Sequence, residues 1–221
     1  MNYNRMSEWF LEFSEKLLAI LINLIYLGLL TMPYFLFEIL FKQSIVKIPL
    51  VFIPVVSLFA MAVKSLIYTI YMIVKKNGSY YKPYFFISLK DRFLKSFLYY
   101  LISITILYIG LSSSWILIHE VSSVFWLVFA FVSIVILTNL IYTSLQLALY
   151  EQENFKLIIK NSMILTLSLG VISIAMYIIL VWMIYSFRMM PFKIVFIGIP
   201  VYSVLLFLIY LLMENRKRML D

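Results

Sequence analysis

The chain has 221 residues, 65% of them hydrophobic and 13% charged, with a mean hydropathy of +1.04; a soluble core of this size cannot bury that much apolar surface, so the chain reads as an integral membrane protein. Its net charge of +8 sits at the ends of apolar runs and in one loop, as juxtamembrane charges do, which excludes nucleic acid as the partner. With no Cys and a single His, His119, there is no disulfide framework, no thiolate site and no histidine cluster, and no metal or other cofactor is expected.

Residues 1–16 set Met6, Trp9, Phe10, Phe13 and Leu17 at helical spacing against Glu8, Glu12, Glu15 and Lys16, the pattern of a short interfacial helix. Three Glu in that stretch, and no small-residue cleavage site after the first apolar run, imply that this run stays as a span. Six apolar segments follow: 17–41, interrupted by Pro33, then 48–74, 96–117, 122–150, 160–186 and 191–213. Each exceeds the roughly 20 residues that cross about 30 Å of hydrocarbon. The predicted fold is all-α, a polytopic bundle of six transmembrane helices forming one membrane domain over 1–221. The short turn KQSIVK joins the first two spans, and a cytoplasmic loop, 75–95, separates the front pair from the rest.

Counting Lys and Arg on alternate sides orients the chain. Thirteen lie on the side of the termini and the 75–95 loop, four on the other, and Lys64 lies inside a span. That asymmetry places both termini and the loop on the cytoplasmic side of the cell membrane. Trp115, Trp126 and Trp182 fall at the opposite ends, where indoles prefer the interface.

The loop leads into the third span with Phe85, Leu89, Phe93 and Phe97 every four residues, while Ser88, Lys90, Asp91, Arg92, Lys95 and Ser96 occupy other faces. This predicts an amphipathic helix running on into the span. Two readings follow: an interfacial anchor drawn to anionic lipid, or a docking surface for a partner. The candidate residues for either are Phe85, Phe86, Leu89, Lys90, Arg92, Phe93 and Lys95. A looser echo, Glu153, Phe155, Lys156, Lys160 and Ser162, leads into the fifth span.

Polar and small residues also line up inside the spans: Asn23, Thr31, Tyr34 and Glu38 on the first, Asn139, Tyr142 or Thr143, and Gln146 on the fourth, and Ser162, Thr166, Gly170, Ser173 and Tyr177 on the fifth. They read either as helix packing or as a solute or ion path. By helix rise Asn23, Lys64 and Asn139 fall at one level, about 24–27 Å from the outer ends of their spans, and are expected to approach one another as a polar layer. Lys64 would then donate to amide oxygens or backbone carbonyls; the other reading has it extending along its own helix to the inner headgroups.

No phosphate loop, H-E-x-x-H or G-x-S-x-G occurs, and Glu38 is the only acid embedded in a span. An enzyme is not expected.

At the loop, Tyr71 to Lys76 as YMIVKK, a polar turn, and then Phe85, Phe86, Lys90, Phe93, Lys95 and Ser96 in FFISLKDRFLKS resemble the YesL family of bacterial membrane proteins. The run INLIYLGLLTMP, Ile22 to Pro33, is similar to that family's first span. The segment from Tyr34 to Pro54 is longer than the family's usual link, and Lys64 within the second span is a further departure. The resemblance implies a multi-span protein of unestablished biochemistry, often encoded beside carbohydrate uptake transporters of the ATP-binding-cassette type. It points to an accessory subunit that meets permease and nucleotide-binding subunits, and it implies no catalytic residues. The alternative is a small solute transporter or channel that uses the polar stripes.

Overall fold

Inside lipid each backbone polar group must be satisfied within its own segment, so long apolar runs fold as helices. The computed structural model describes residues 3–41, 49–76, 82–120, 122, 124–150, 154–186 and 197–218, and every regular element among them is helical. In chain order these are α1 (Tyr3–Phe41), α2 (Pro49–Ile70) with a π turn (Tyr71–Lys75), α3 (Tyr84–Lys90), α4 (Phe93–Glu120), α5 (Phe125–Leu149), α6 (Phe155–Ser168), α7 (Gly170–Ser186) and α8 (Ile199–Arg218).

Four stretches are long and apolar enough to cross a membrane: Phe10–Met32, Pro49–Lys75, Phe93–Gly110 and Phe125–Leu149. The pair α6 and α7, bent by 95°, makes a fifth if taken as one span, and the apolar part of α8, Ile199–Leu211, is shorter. The chain therefore has the make-up of a multi-pass membrane protein.

The α2 and α5 helices form the centre. In α2 every residue from Lys64 to Ile70 is buried, and in α5 every residue from Thr138 to Ala148. A helix buried on all sides must be surrounded, and α2 indeed packs against α1, α3, α4, α5 and α8, while α5 packs against α2, α4, α6, α7 and α8. Leu27, Met61, Leu66, Phe85, Leu89, Tyr100, Ile104, Leu140 and Leu147 make one core. Outward rows such as Leu21, Ile25 and Leu29 on α1, or Val171, Ile174 and Ile178 on α7, stay exposed as lipid-facing surfaces do.

Three expectations change. The amino-terminal stretch is not a separate interfacial helix: α1 runs unbroken for 39 residues, because no Gly or Pro intervenes around Leu17 and Lys16 pairs with Glu12 at 2.6 Å one turn back. The amphipathic helix expected to run from the loop into the third span is broken at Asp91 and Arg92, where Arg92 takes φ 49°. The fifth span is bent between Ser168 and Gly170; Leu169 leaves the helical path, and the Ser173 hydroxyl bonds the Thr166 carbonyl across the bend at 3.2 Å. The turn KQSIVK and the start of the sixth predicted span lie outside the described residues.

Candidate functional site

Helix α3 has seven residues, far fewer than an isolated helix needs, so its neighbours must hold it. Pro83 precedes its first residue. Since the first N–H groups of a helix have no partner within it, the Phe85 N–H needs one from outside and donates to Asn23 Oδ1 on α1 at 3.1 Å. The Asn23 amide nitrogen donates back to the Ala19 carbonyl of its own helix at 2.9 Å, which fixes the side chain.

At the other end Lys64 of α2, 1% exposed, donates from Nζ to the carbonyls of Ser88 and Asp91, each at 2.9 Å. In an uninterrupted helix these two carbonyls would accept the Arg92 and Lys95 N–H groups. The ammonium takes their place, and that is the physical reason the helix stops here and restarts at Phe93. A cation at a helix C-terminus is also favoured by the helix dipole. Hydrogen bonds from a charged donor are worth about 1.5–3 kcal/mol each.

Between its two caps α3 turns Tyr84, Phe85, Ser88 and Leu89 inward. Phe86 packs on Tyr26 of α1 with ring centroids 4.5 Å apart, and Tyr84 meets Tyr68 of α2 edge-on at 6.4 Å. The apolar face of the candidate docking surface is thus committed to the bundle core. Lys90 and Lys95 are exposed, Phe93 is 39% exposed and stacks on Phe97, and Arg92 is half-buried beside the Asp91 carboxylate.

Asn23 and Lys64 are therefore joined through α3, one at each end of a helix about 10 Å long, while Asn139 belongs elsewhere. Its Oδ1 accepts from the Tyr99 hydroxyl of α4, which also contacts the Thr143 hydroxyl at 3.1 Å. One residue on, the Tyr100 and Ser144 hydroxyls pair at 2.7 Å. The spacing of polar residues does not single out Tyr99, Tyr100 or Ser144; the adjacent tyrosines near the start of α4 and the run Tyr142, Thr143, Ser144 are the local signal for them.

Three hydroxyls of the polar stripes, those of Ser162, Thr166 and Thr31, bond carbonyls of their own helix, which satisfies them without a ligand. Among the described residues Asn139 Nδ2, Gln146 Oε1, Tyr202 Oη, Ser65 Oγ and Ser96 Oγ are buried without a hydrogen-bond partner. A cavity of about 220 Å³ lies between α4 and α5, lined by Ile106, Gly110, Ser113, Val132, Ser133 and other, apolar side chains. Among the described residues no group of three or more His, Asp or Glu is placed to hold a metal ion.

The arrangement defines a class: a multi-pass helical membrane protein with a short helix clamped between its first two long helices. Comparison with family models, curated proteins and solved structures gives no match.

Proposed function

We propose that this chain is a non-catalytic accessory protein of a bacterial carbohydrate uptake system of the ATP-binding-cassette type. In this reading it crosses the cell membrane six times, with both termini and the 75–95 stretch in the cytoplasm. The observation that carries the docking part is the clamp on α3. It fixes the stretch from Tyr84 to Asp91 against the bundle, and Lys75, Lys76, Lys82 and Lys90 are all exposed. By helix rise, Lys75 lies about 16 Å along the helix beyond Lys64, so the π turn carries its cations past the level of the clamp. Such a surface suits an acidic face of a permease or nucleotide-binding subunit. The resemblance to the YesL family at Tyr71 to Ser96 supports the choice of partner, and the distribution of cations supports the orientation.

The test is mild detergent extraction of the tagged chain from its native host. Recovery of transporter subunits with the wild type, and its loss in a Lys75→Glu/Lys76→Glu/Lys82→Glu variant expressed equally, is the expected result. Undiminished recovery in that variant refutes docking through this surface.

A second reading, solute passage through the bundle, draws on the unpartnered buried atoms of Asn139, Gln146 and Tyr202. It predicts solute flux by the purified chain alone in liposomes, which the accessory reading does not.

A further inference from the structure

The segment from Phe155 to Ser186 contains no Pro and one Gly, Gly170. Its sequence suits a continuous helix, yet α6 and α7 meet at a bend of 95°. Sharp kinks arise at Pro, at Gly and Ser pairs, at π turns, or where a side chain enters the backbone ladder. Here a side chain has entered. Leu169 takes φ −101° and ψ 37°, and the Ser173 hydroxyl reaches back to the Thr166 carbonyl at 3.2 Å, the acceptor that a continuous helix gives to the Gly170 N–H. The same hydroxyl lies 3.4 Å from that of Tyr142 on α5.

On both sides of the bend the ladder is intact: the Leu169 N–H bonds the Leu165 carbonyl at 2.9 Å, and the Ser173 N–H bonds the Leu169 carbonyl at 2.8 Å. The three rungs between them are missing. The N–H groups of Gly170, Val171 and Ile172 have no hydrogen bond among the described residues, and a straight helix would pair them with the carbonyls of Thr166, Leu167 and Ser168. In exchange the bend lays α7 on α5, and Met176 is buried in a core with Ile141 and Leu145. The bent form thus has the packing and lacks three backbone bonds, which weigh most where water is scarce, as in lipid. Gly170 tips the balance toward the bend. A Cβ there would meet nothing within 4 Å, so no close contact requires a glycine; its effect is to weaken a continuous helix at its middle.

We infer that α6 and α7 form a hinge that passes between the bent form and one continuous helix, latched in the bent form by the Ser173 hydroxyl. Straightening withdraws α7 from Tyr142 and opens the bundle between α5 and α7. The hinge is separate from the clamp on α3 and does not rest on the proposed accessory role.

The chain has no Cys, so spin labels attach only where cysteines are placed. Lys156→Cys/Tyr185→Cys, both at exposed positions, puts one label on each arm. By helix rise the two stand about 30 Å apart in the bent form and about 44 Å apart in the straight one. The distances are read by pulsed electron spin resonance on the full chain in phosphatidylglycerol nanodiscs, and the short one is expected to dominate. Gly170→Ala, which strengthens a helix interior, and Ser173→Ala, which removes the latch, should each raise the ratio of long to short about threefold, and together about tenfold. Val171→Pro should abolish the long distance, since Pro is tolerated in the first turn of α7 but breaks a continuous helix. The hinge is overturned by a long distance that dominates without these substitutions, by a Gly170→Ala/Ser173→Ala protein that keeps only the short one, or by a long distance that survives Val171→Pro. If Val171→Pro does not elute as a folded species, the ratio in Gly170→Ala/Ser173→Ala decides alone.

Discussion

Lys64 and Asp91 lie 27 positions apart and meet through the backbone, the buried ammonium donating to the Asp91 carbonyl at 2.9 Å. With the parallel bond to Ser88, one side chain of α2 closes the C-terminal end of α3. The apolar stretch of α4 begins two residues after Asp91, at Phe93. Lys64 therefore lies near the level where α4 begins, with polar backbone for its partner, and an ammonium near a membrane requires such partners.

Replacing Lys64 by Leu should unseat the end of α3 without unfolding the bundle. Two buried carbonyls would lose their donor, at about 1–3 kcal/mol each. Hydrogen exchange is expected to accelerate at the amides of Phe86 to Leu94 while α5 stays protected. Uniform protection in the variant would show that packing of Phe85 and Leu89 alone holds the helix.

Asn23→Leu removes the cap on the Phe85 N–H and should cost about 1–2 kcal/mol by the same accounting. Because Asn23 and Lys64 secure the same helix, their effects should not add. Once one end is released, the second substitution is expected to cost less than it does alone. Strict additivity in thermal denaturation of the double variant would contradict a shared clamp.

Tyr99→Phe deletes the donor to Asn139, leaving a buried amide with no partner at either end, since Asn139 Nδ2 already lacks one. A loss of about 1–3 kcal/mol is expected. Adding Asn139→Leu removes the stranded amide and should restore part of the stability. A double variant no more stable than Tyr99→Phe would be the contrary result. Tyr100→Phe, which breaks only the Ser144 pair, should cost less, about 0.6 kcal/mol.

The absence of Cys from the chain makes single-cysteine labelling a clean test of the proposed orientation. Lys82→Cys should react with a membrane-impermeant maleimide only after permeabilisation, and Ser122→Cys in intact cells. The reverse pattern would invert the topology.

Composition and periodicity alone determined that this chain is helical and rich in membrane-crossing segments, because the hydrophobic effect and backbone satisfaction in lipid act on every residue of an apolar run. Charge counting gave an orientation to test, for the same reason: each Lys or Arg contributes independently of its neighbours. What α3 does was not legible in this way. Phe85, Leu89 and Phe93 repeat with helical period, and nothing local in them shows that Lys64, some two dozen residues earlier, would take the carbonyls needed to continue the helix. Helix rise put Asn23, Lys64 and Asn139 at one depth, but depth says nothing about azimuth. Only the packing of α1, α2 and α3 decided that Asn23 and Lys64 cap one short helix while Asn139 turns to Tyr99. The contact between the Tyr99 ring of α4 and the Phe155 ring of α6 was hidden for the same reason, since it depends on how the helices are rotated against each other, and that is settled by the whole core at once.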